Sequence, residues 1–507
     1  MSTSGVTENT TALAIAEKQK LIRSLGRFDM TFFTVCAFVG LDTLGIVADN
    51  GAEAFTWLIV LALSFVFPYM LLMSEVGSAF TQEGGPYEWT KLAFGRITAS
   101  ITSVLYWITN PIWVGGSLAF IATDAWRANI SSIGHGTFGD YVFKLVFIWV
   151  SISVAIISLR YGKWIPTLGA FLRIGVLGFF SLTVFIYALD HGVHGMSAGD
   201  LSPTRAIFLA LVPVLLFNYV GFELQNGAAE EMENPQRDVP ISVLRSGVIG
   251  ILLYAVPIFG ILLVLPGEAI TGIGGFIDAV STTFTVYGGA ASFLLDLMTL
   301  CFVGTLVTSG AVWMIGSDRV QAVAAADGSW FPWFGIFNRH LGTPVRVNVM
   351  SGIVSSVFMI VAVAFFNSGA DSTFAVVLTI AISTTLLSYL AVFPAAVKLR
   401  YRFPNVHRPY VVPWGRTGLW LAGGLTTFWI AFGSFVSVFP GVLEPIFGVD
   451  YGSFEDAWGV SRGKFEALTL GTLVVVVALA LVGYAFAERV RREEVEAPLE
   501  PAVTVAT

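Results

Sequence analysis

The sequence predicts an all-α membrane protein with 12 transmembrane helices. Three observations predict it: an apolar composition, long unbroken apolar runs, and a one-sided distribution of basic residues. Of 507 residues, 55% are hydrophobic and only 12% are charged, whereas a water-soluble domain carries about a quarter charged residues. The mean hydropathy is +0.78. A chain this apolar cannot cover its own surface in water, and in a bilayer it need not. The apolar runs are continuous, where a transmembrane barrel would alternate apolar with polar residues. No basic patch suits a nucleic acid. Cys36 and Cys301 both fall inside apolar runs and supply neither a disulfide framework nor a thiolate metal cluster.

Each span follows from its length. Runs of roughly 18–27 residues cross a ~30 Å hydrocarbon core. They lie near 28–49, 54–80, 99–126, 141–159, 165–188 and 206–229, then near 240–265, 290–316, 346–367, 373–397, 417–440 and 467–487. Residues 1–27 and 488–507 are left as tails; their polar ends, 1–18 and 490–507, read as disordered, the last being an acidic solvated stretch. An even number of crossings puts both termini on one side. If that side is the cytoplasm, it receives 21 of the 27 lysines and arginines, Arg160 and Lys163 among them, as the positive-inside rule requires. The opposite loops carry acids instead: Asp190, Asp200, Glu268, Asp278, Asp371, Glu444, Asp450, Glu455 and Asp456. The expectation is a multi-pass plasma-membrane protein with both termini cytoplasmic.

Two spans contain matching irregularities. Span one reads Gly40-Leu41-Asp42-Thr43-Leu44-Gly45, and span six reads Gly221-Phe222-Glu223-Leu224-Gln225-Asn226-Gly227. Glycine in a helix costs about 1 kcal/mol, and a mid-membrane carboxylate costs about 2.5–3.5 kcal/mol on insertion scales. Such costs fit helices that unwind and bind something with the freed backbone. Breaks in the first and sixth spans fit two inverted repeats of five helices, 28–188 and 206–397, with 417–487 peripheral. The alternative is that the glycines serve close helix packing and the carboxylates cap local kinks. A third charge, Arg173, stands about eight residues into span five. It is read either as snorkelling to the interface or as a buried cation that neutralises the interior near Asp42 or Glu223.

The loops carry a resemblance. Glu83-Gly84-Gly85-Pro86-Tyr87 with Ala93-Phe94-Gly95-Arg96, then Glu231-Met232-Glu233-Asn234-Pro235-Gln236-Arg237-Asp238-Val239-Pro240, resemble loop motifs of the amino acid–polyamine–organocation permeases. So do Ala326-Asp327-Gly328 through Gly342-Thr343-Pro344, and Phe403-Pro404 with Arg408-Pro409-Tyr410-Val411-Val412-Pro413. The motifs fall in order over about 30–415. The resemblance implies a LeuT-type fold and secondary transport of amino acids by alternating access, proton-coupled or by exchange. Polyamines or decarboxylated amino acids are the alternative substrates, and a substrate-sensing transceptor is a more distant one. It places Gly40, Leu41, Asp42 and Thr43 at the first break. Phe217, with Asn218 beside it, falls at an aromatic gate, Gly221 and Glu223 at the second break, and Trp313 in span eight near the substrate.

Two departures from that family bear on chemistry. Its members usually leave bare amides at the first break for a substrate carboxylate, with Gly-Ser-Gly or Gly-Ala-Gly; here Leu41-Asp42 stands there. A fixed negative charge attracts an ammonium group and repels a carboxylate. Arg173 resembles a lysine that some branches place where sodium would sit. A guanidinium excludes Na⁺ from that second ion site and cannot release a proton, so any coupled proton rides on a carboxylate, with Glu223 the candidate. No other cofactor or metal is implied. The expected partners are a small amino acid or amine and the lipid bilayer, with no nucleic acid, and nothing in the chain marks an oligomeric state. An enzyme would need intramembrane histidines, paired carboxylates or a nucleophile with its base, and all five histidines fall in predicted loops. A channel would need polar rings or filter carbonyls, which the sequence does not offer.

Overall fold

The computed structural model describes residues 7–499 apart from 22, 158–163, 194–198, 266–274, 366–369, 450–451 and 456–459. Arg160, Lys163, Glu268, Asp450 and Asp456 of the charge pattern lie outside the described residues, as does the side chain of Asp371. The chain opens with strand β1 (Thr7–Thr11) and helix α1 (Ala12–Lys18). Span one is split into α2 (Arg27–Phe38) and α3 (Leu44–Asp49). Then come α4 (Ala52–Ala79), the short α5 (Pro86–Phe94), α6 (Arg96–Asn129), α7 (Phe138–Ile157) and α8 (Trp164–His191). Span six begins as α9 (Arg205–Asn218), breaks, and resumes as a 3-10 turn, Leu224–Glu231. The remainder is α10 (Pro235–Val264), α11 (Gly275–Thr283), α12 (Ala291–Ala326), α13 (Val345–Phe365), α14 (Ala370–Arg402), α15 (Gly415–Val438), α16 (Arg462–Phe486) and strand β2 (Glu494–Pro498).

Among the described residues, ten helices are long and apolar enough to cross a membrane. The two spans that sequence predicts and this set lacks are the interrupted ones. Burial sorts the helices into centre and rim. The most apolar window of α6 is 100% buried, whereas that of α16 is 22% buried, so α6 faces protein on every side and α16 leaves an apolar face for lipid. Around α6 pack α12, α13 and α14, while α10 lies between α2 and α4. Both α4 and α6 contain a π-helical turn, Ala62–Val66 and Val114–Leu118, the widened turn that recurs at functional sites.

The breaks have local causes. At the second, Gly221 adopts φ 128°, a backbone region that side-chain-bearing residues avoid. At the first, Val39 leaves the helical region with ψ 92°, and α3 restarts after Thr43. A Cβ on Gly45 would stand 2.8 Å from the backbone nitrogen of Phe276, so glycine there allows α11 to cross against α3.

Residues 7–18 and 490–499 correct the sequence expectation, while 1–6 and 500–507 lie outside the described residues. In place of disorder, β1 pairs antiparallel with β2, Thr7 opposite Pro498 through Thr11 opposite Glu494. β1 is wholly polar, and what orders it is a polar anchor more than three hundred residues away. Thr10 Oγ1 and the Thr11 N–H both donate to Asp327 Oδ1 at 3.0 Å. Arg96 pairs with Asp327 at 3.0 Å and with Glu494, and Lys91 pairs with Asp327 at 3.1 Å and with Glu8 at 3.6 Å. Burial alone would push Asp327 up, but Lys91 and Arg96 hold it down at about 2.

Glu8 behaves oppositely. Burial, then the charge of Glu88, push it from 4.5 to about 7; Asp327 adds repulsion, and Lys91 and Lys18 pull the other way. A carboxyl with a raised value holds its proton more tightly when docked than when free. Docking of β1 is therefore fully favoured below about pH 4.5 and weakens as pH rises through about 7. Amide protons of residues 9–11 should accordingly exchange roughly ten-fold or more faster, relative to the intrinsic rate, at about pH 8 than at about pH 5. Hydrogen-exchange mass spectrometry checks this, and Glu8→Gln should flatten the dependence.

Candidate functional site

The two breaks meet at one phenol. The Gly40 N–H donates to Tyr254 Oη at 2.8 Å, and that hydroxyl shares its proton between the carbonyls of Phe38 (3.0 Å) and Asn218 (3.3 Å). Tyr254, on α10, thus satisfies backbone groups from both unwound segments. A second phenol does similar work: Tyr69 Oη on α4 accepts from the N–H groups of Gly221 (3.0 Å) and Phe222 (3.2 Å). Freed amides in a low-dielectric interior cost several kcal/mol when left alone, and here each of these three is occupied.

Beside Tyr254 lies a cavity with a free volume of about 30 Å³, roughly the room one water occupies. Gly40 and Asp42 from the first break, Phe217 and Asn218 from α9, and Trp313 from α12 line it, together with Thr109, Asn110 and Trp113 of α6 and Thr385 of α14. Asp42 is buried and accepts from Trp113 Nε1 at 2.9 Å. Among the described residues, no lysine, arginine or histidine lines this cavity. The ring of Trp113 meets Phe217 at 6.0 Å and Trp313 at 6.5 Å, both nearly edge to face. Trp313 Nε1 is tied to the Ala37 carbonyl at 3.0 Å.

The other residues singled out from sequence lie elsewhere. Leu41 and Thr43 are buried off the cavity lining, and Gly221 lies against the Trp313 ring, which a Cβ there would approach to 3.1 Å. Glu223 is buried away from Asp42's cavity, in a cage of three phenols. Tyr106 of α6 (2.8 Å) and Tyr389 of α14 (2.5 Å) donate to Oε1, and Tyr69 donates to Oε2. Arg173 is buried too, which excludes snorkelling, and it does not neutralise either acid by direct pairing. Its guanidinium donates to the carbonyls of Val39 (2.8 Å), Gly169 (2.7 Å) and Thr305 (3.0 Å), and to the hydroxyls of Thr308 (3.0 Å) and Ser309. Carbonyls at the end of α2 and along α12 offer the partial negative charge that a carboxylate would otherwise supply.

Sequence reasoning missed Tyr69, Tyr106, Tyr254, Tyr389 and Trp113. Each stands in an apolar helix, where a tyrosine or tryptophan reads as packing; the signal would have been that a buried O–H or indole N–H demands a partner.

The face that carries both termini is closed by charge. Arg319 Nε pairs with Glu231 at 2.9 Å and Glu83 at 3.7 Å, and Arg27 pairs with Asp238 at 2.7 Å. The Ser24 and Leu25 amides donate to the Glu231 carbonyl at 2.8 and 3.0 Å, which joins the segment before α2 to the segment after the second break.

Membrane-spanning helices that break against each other around a buried, aromatic-walled cavity define a polytopic membrane carrier. The family can also be stated: residues 25–447 match the amino acid permease model, and the chain belongs to that family, within the amino acid–polyamine–organocation superfamily. It is a transporter, not an enzyme. Over 400 residues it is 28% identical to the Lactococcus lactis protein named "Probable agmatine/putrescine antiporter AguD", with 76% of this chain and 81% of that one covered. To "Uncharacterized transporter lpg1691" of Legionella pneumophila it is 28% identical over 411 residues, covering 79% and 86%. To the glutamate/gamma-aminobutyrate antiporter of L. lactis it is 25% identical over 237 residues, covering 47% and 46%. A crystal structure of a mutant manganese transporter from Eremococcus coleocola matches with a TM-score of 0.59 at 12% identity, covering 91% of this chain and 94% of that one, a likeness of fold alone.

Tyr254→Phe removes the acceptor of the Gly40 amide and the donor to Phe38 and Asn218. It should cost about 1–3 kcal/mol of stability, read as a lowered unfolding midpoint of the detergent-purified protein. An unchanged midpoint would mean that the phenol is not what holds the breaks.

Proposed function

We propose that the protein is a secondary active transporter of the amino acid and amine class, working by alternating access, and that a small organic cation is the substrate its central site fits best. The carrying observation is the pairing of Asp42 with capped amides. The cavity offers one carboxylate, aromatic faces suited to a cation, and no cationic side chain. The Gly40, Gly221 and Phe222 amides, which could receive a substrate carboxylate, already donate to Tyr254 and Tyr69. A decarboxylated amino acid or diamine fits that lining. A zwitterionic amino acid, the class the family name favours, fits once Asp42 carries a proton. The relative named as an agmatine/putrescine antiporter is consistent with the cationic reading.

The two interrupted segments added to the ten continuous helices support a count of twelve crossings. Breaks in the first and sixth support a LeuT-type pair of inverted repeats, 28–188 and 206–397, with α15 and α16 peripheral. The basic residues on the terminal face support a cytoplasmic location for both termini in the plasma membrane. Arg173 occupies oxygens from α2 and α12 of the kind that would hold Na⁺, which argues against sodium there. Glu223, on the second break and held by hydroxyls alone, is the group in which we place a coupled proton.

Two measurements test these assignments in proteoliposomes. Asp42→Asn should reduce agmatine uptake by roughly ten-fold or more, about 1.4 kcal/mol per ten-fold, while leaving alanine uptake within about two-fold; equal losses for both would refute the cation assignment. Glu223→Gln should abolish the dependence of uptake on an imposed pH gradient, and an undiminished dependence would remove Glu223 as proton carrier.

A further inference from the structure

On the face opposite the termini, a groove of about 320 Å³ opens between α9, α14 and α15, against about 30 Å³ for the central cavity. Of these two, the groove has the volume of an ordinary small-ligand site, about 300 Å³ or more. Its walls are apolar, with Ala210 and Val214 from α9, Ile382 from α14 and Val436 from α15, and its polar groups include Ser437 and the carboxylate of Glu444.

Charge and register both say what belongs there. Among the described residues, no lysine, arginine or histidine lines the groove. Arg205, at the start of α9, donates to the Phe447 carbonyl at 3.2 Å and makes no ion pair with Glu444. An anion would be repelled, and a lipid chain would cover the apolar walls while leaving the carboxylate unanswered. A linear amine answers both surfaces. Val214 stands three residues before Phe217 on α9, and Ile382 three before Thr385 on α14; Phe217 and Thr385 line the central cavity. Three residues are about 4.5 Å of helix, so the groove ends about one turn from the central cavity.

We propose that this groove is a second site for a linear organic cation, with Glu444 holding its charged end and the alkyl chain lying along α9 and α14. The proposal rests on the cationic-substrate reading of the central cavity. A molecule waiting there touches the helix that carries Phe217, so its arrival and the movement of that ring share one element.

The test is equilibrium dialysis of radiolabelled agmatine against the purified full-length protein. Wild type should bind two equivalents. Glu444→Gln should weaken one of them by roughly ten-fold, and Ala210→Trp, which fills the groove, should remove the same one. Asp42→Asn should remove the other and leave the Glu444-dependent equivalent in place. A single equivalent that Asp42→Asn abolishes and neither groove variant changes would overturn the second site and leave the cationic reading standing. An equivalent lost in Glu444→Gln and kept in Asp42→Asn supports the groove even if the central cavity takes a zwitterion. Absence of agmatine binding in every variant, with folding verified by an unchanged unfolding midpoint, would overturn both.

Discussion

The structure depends on satisfying unwound backbone where no water can reach it. In a bilayer, every main-chain N–H and C=O must find a partner within the protein, and a helix that stops halfway leaves several of each. Tyr254 and Tyr69 take up part of that deficit from outside the broken helices, on α10 and α4. Because Tyr254 touches Gly40, Phe38 and Asn218 at once, the two breaks are held in a fixed relation by a single hydroxyl. The cavity, the position of Asp42 and the access of Phe217 to it all follow from that contact.

Three of the buried charges bear on the breaks, and each is accommodated differently. Arg173 is spread over five oxygen acceptors and fastens the end of α2 to α12. Glu223 faces three hydroxyl donors, so it can hold its charge or share a proton without requiring a cation beside it. Asp42 has one side-chain donor, the Trp113 indole, and borders open volume. Of the three, Asp42 has the most unused acceptor capacity and the most to gain from a ligand. Burying a carboxylate with so few partners is unfavourable, and a cation entering the cavity offsets that cost directly.

The spans were legible because a bilayer imposes a length and a polarity on each segment, which the residues must obey locally. The breaks were legible for a related reason: glycine and a carboxylate in an apolar run contradict a continuous helix, and Gly221 indeed takes a φ that few other residues tolerate. Their partners were not legible. A tyrosine at position 254 looks the same in sequence whether it packs against lipid or caps an amide 214 residues away. The separation of Asp42 from Glu223 was hidden for the same reason. Their matching positions in the two breaks suggested a common site, whereas Tyr69, Tyr106 and Tyr389 enclose Glu223 separately. The tails failed differently. Their composition is that of a disordered chain, and their order comes from Asp327 and from each other, both distant in sequence.

The terminal face shows how such a structure can be stable and still open. Arg319, Glu231 and Glu83 are buried together, and Arg27 and Asp238 are mostly so. Buried ion pairs return about as much as their desolvation takes, so their net contribution to stability is small. Losing one partner alone is expensive, which makes partial opening unfavourable. Water entering the gap repays both charges together. A gate made this way has two favourable arrangements, closed with its ions paired and open with them hydrated, and an unfavourable passage between them. Glu231 lies on the segment 224–231 that follows the second break directly, and Leu25, whose amide it binds, leads through α2 to the first. Under the proposed alternating access, opening of this face would be felt by the backbone that Tyr254 and Tyr69 hold.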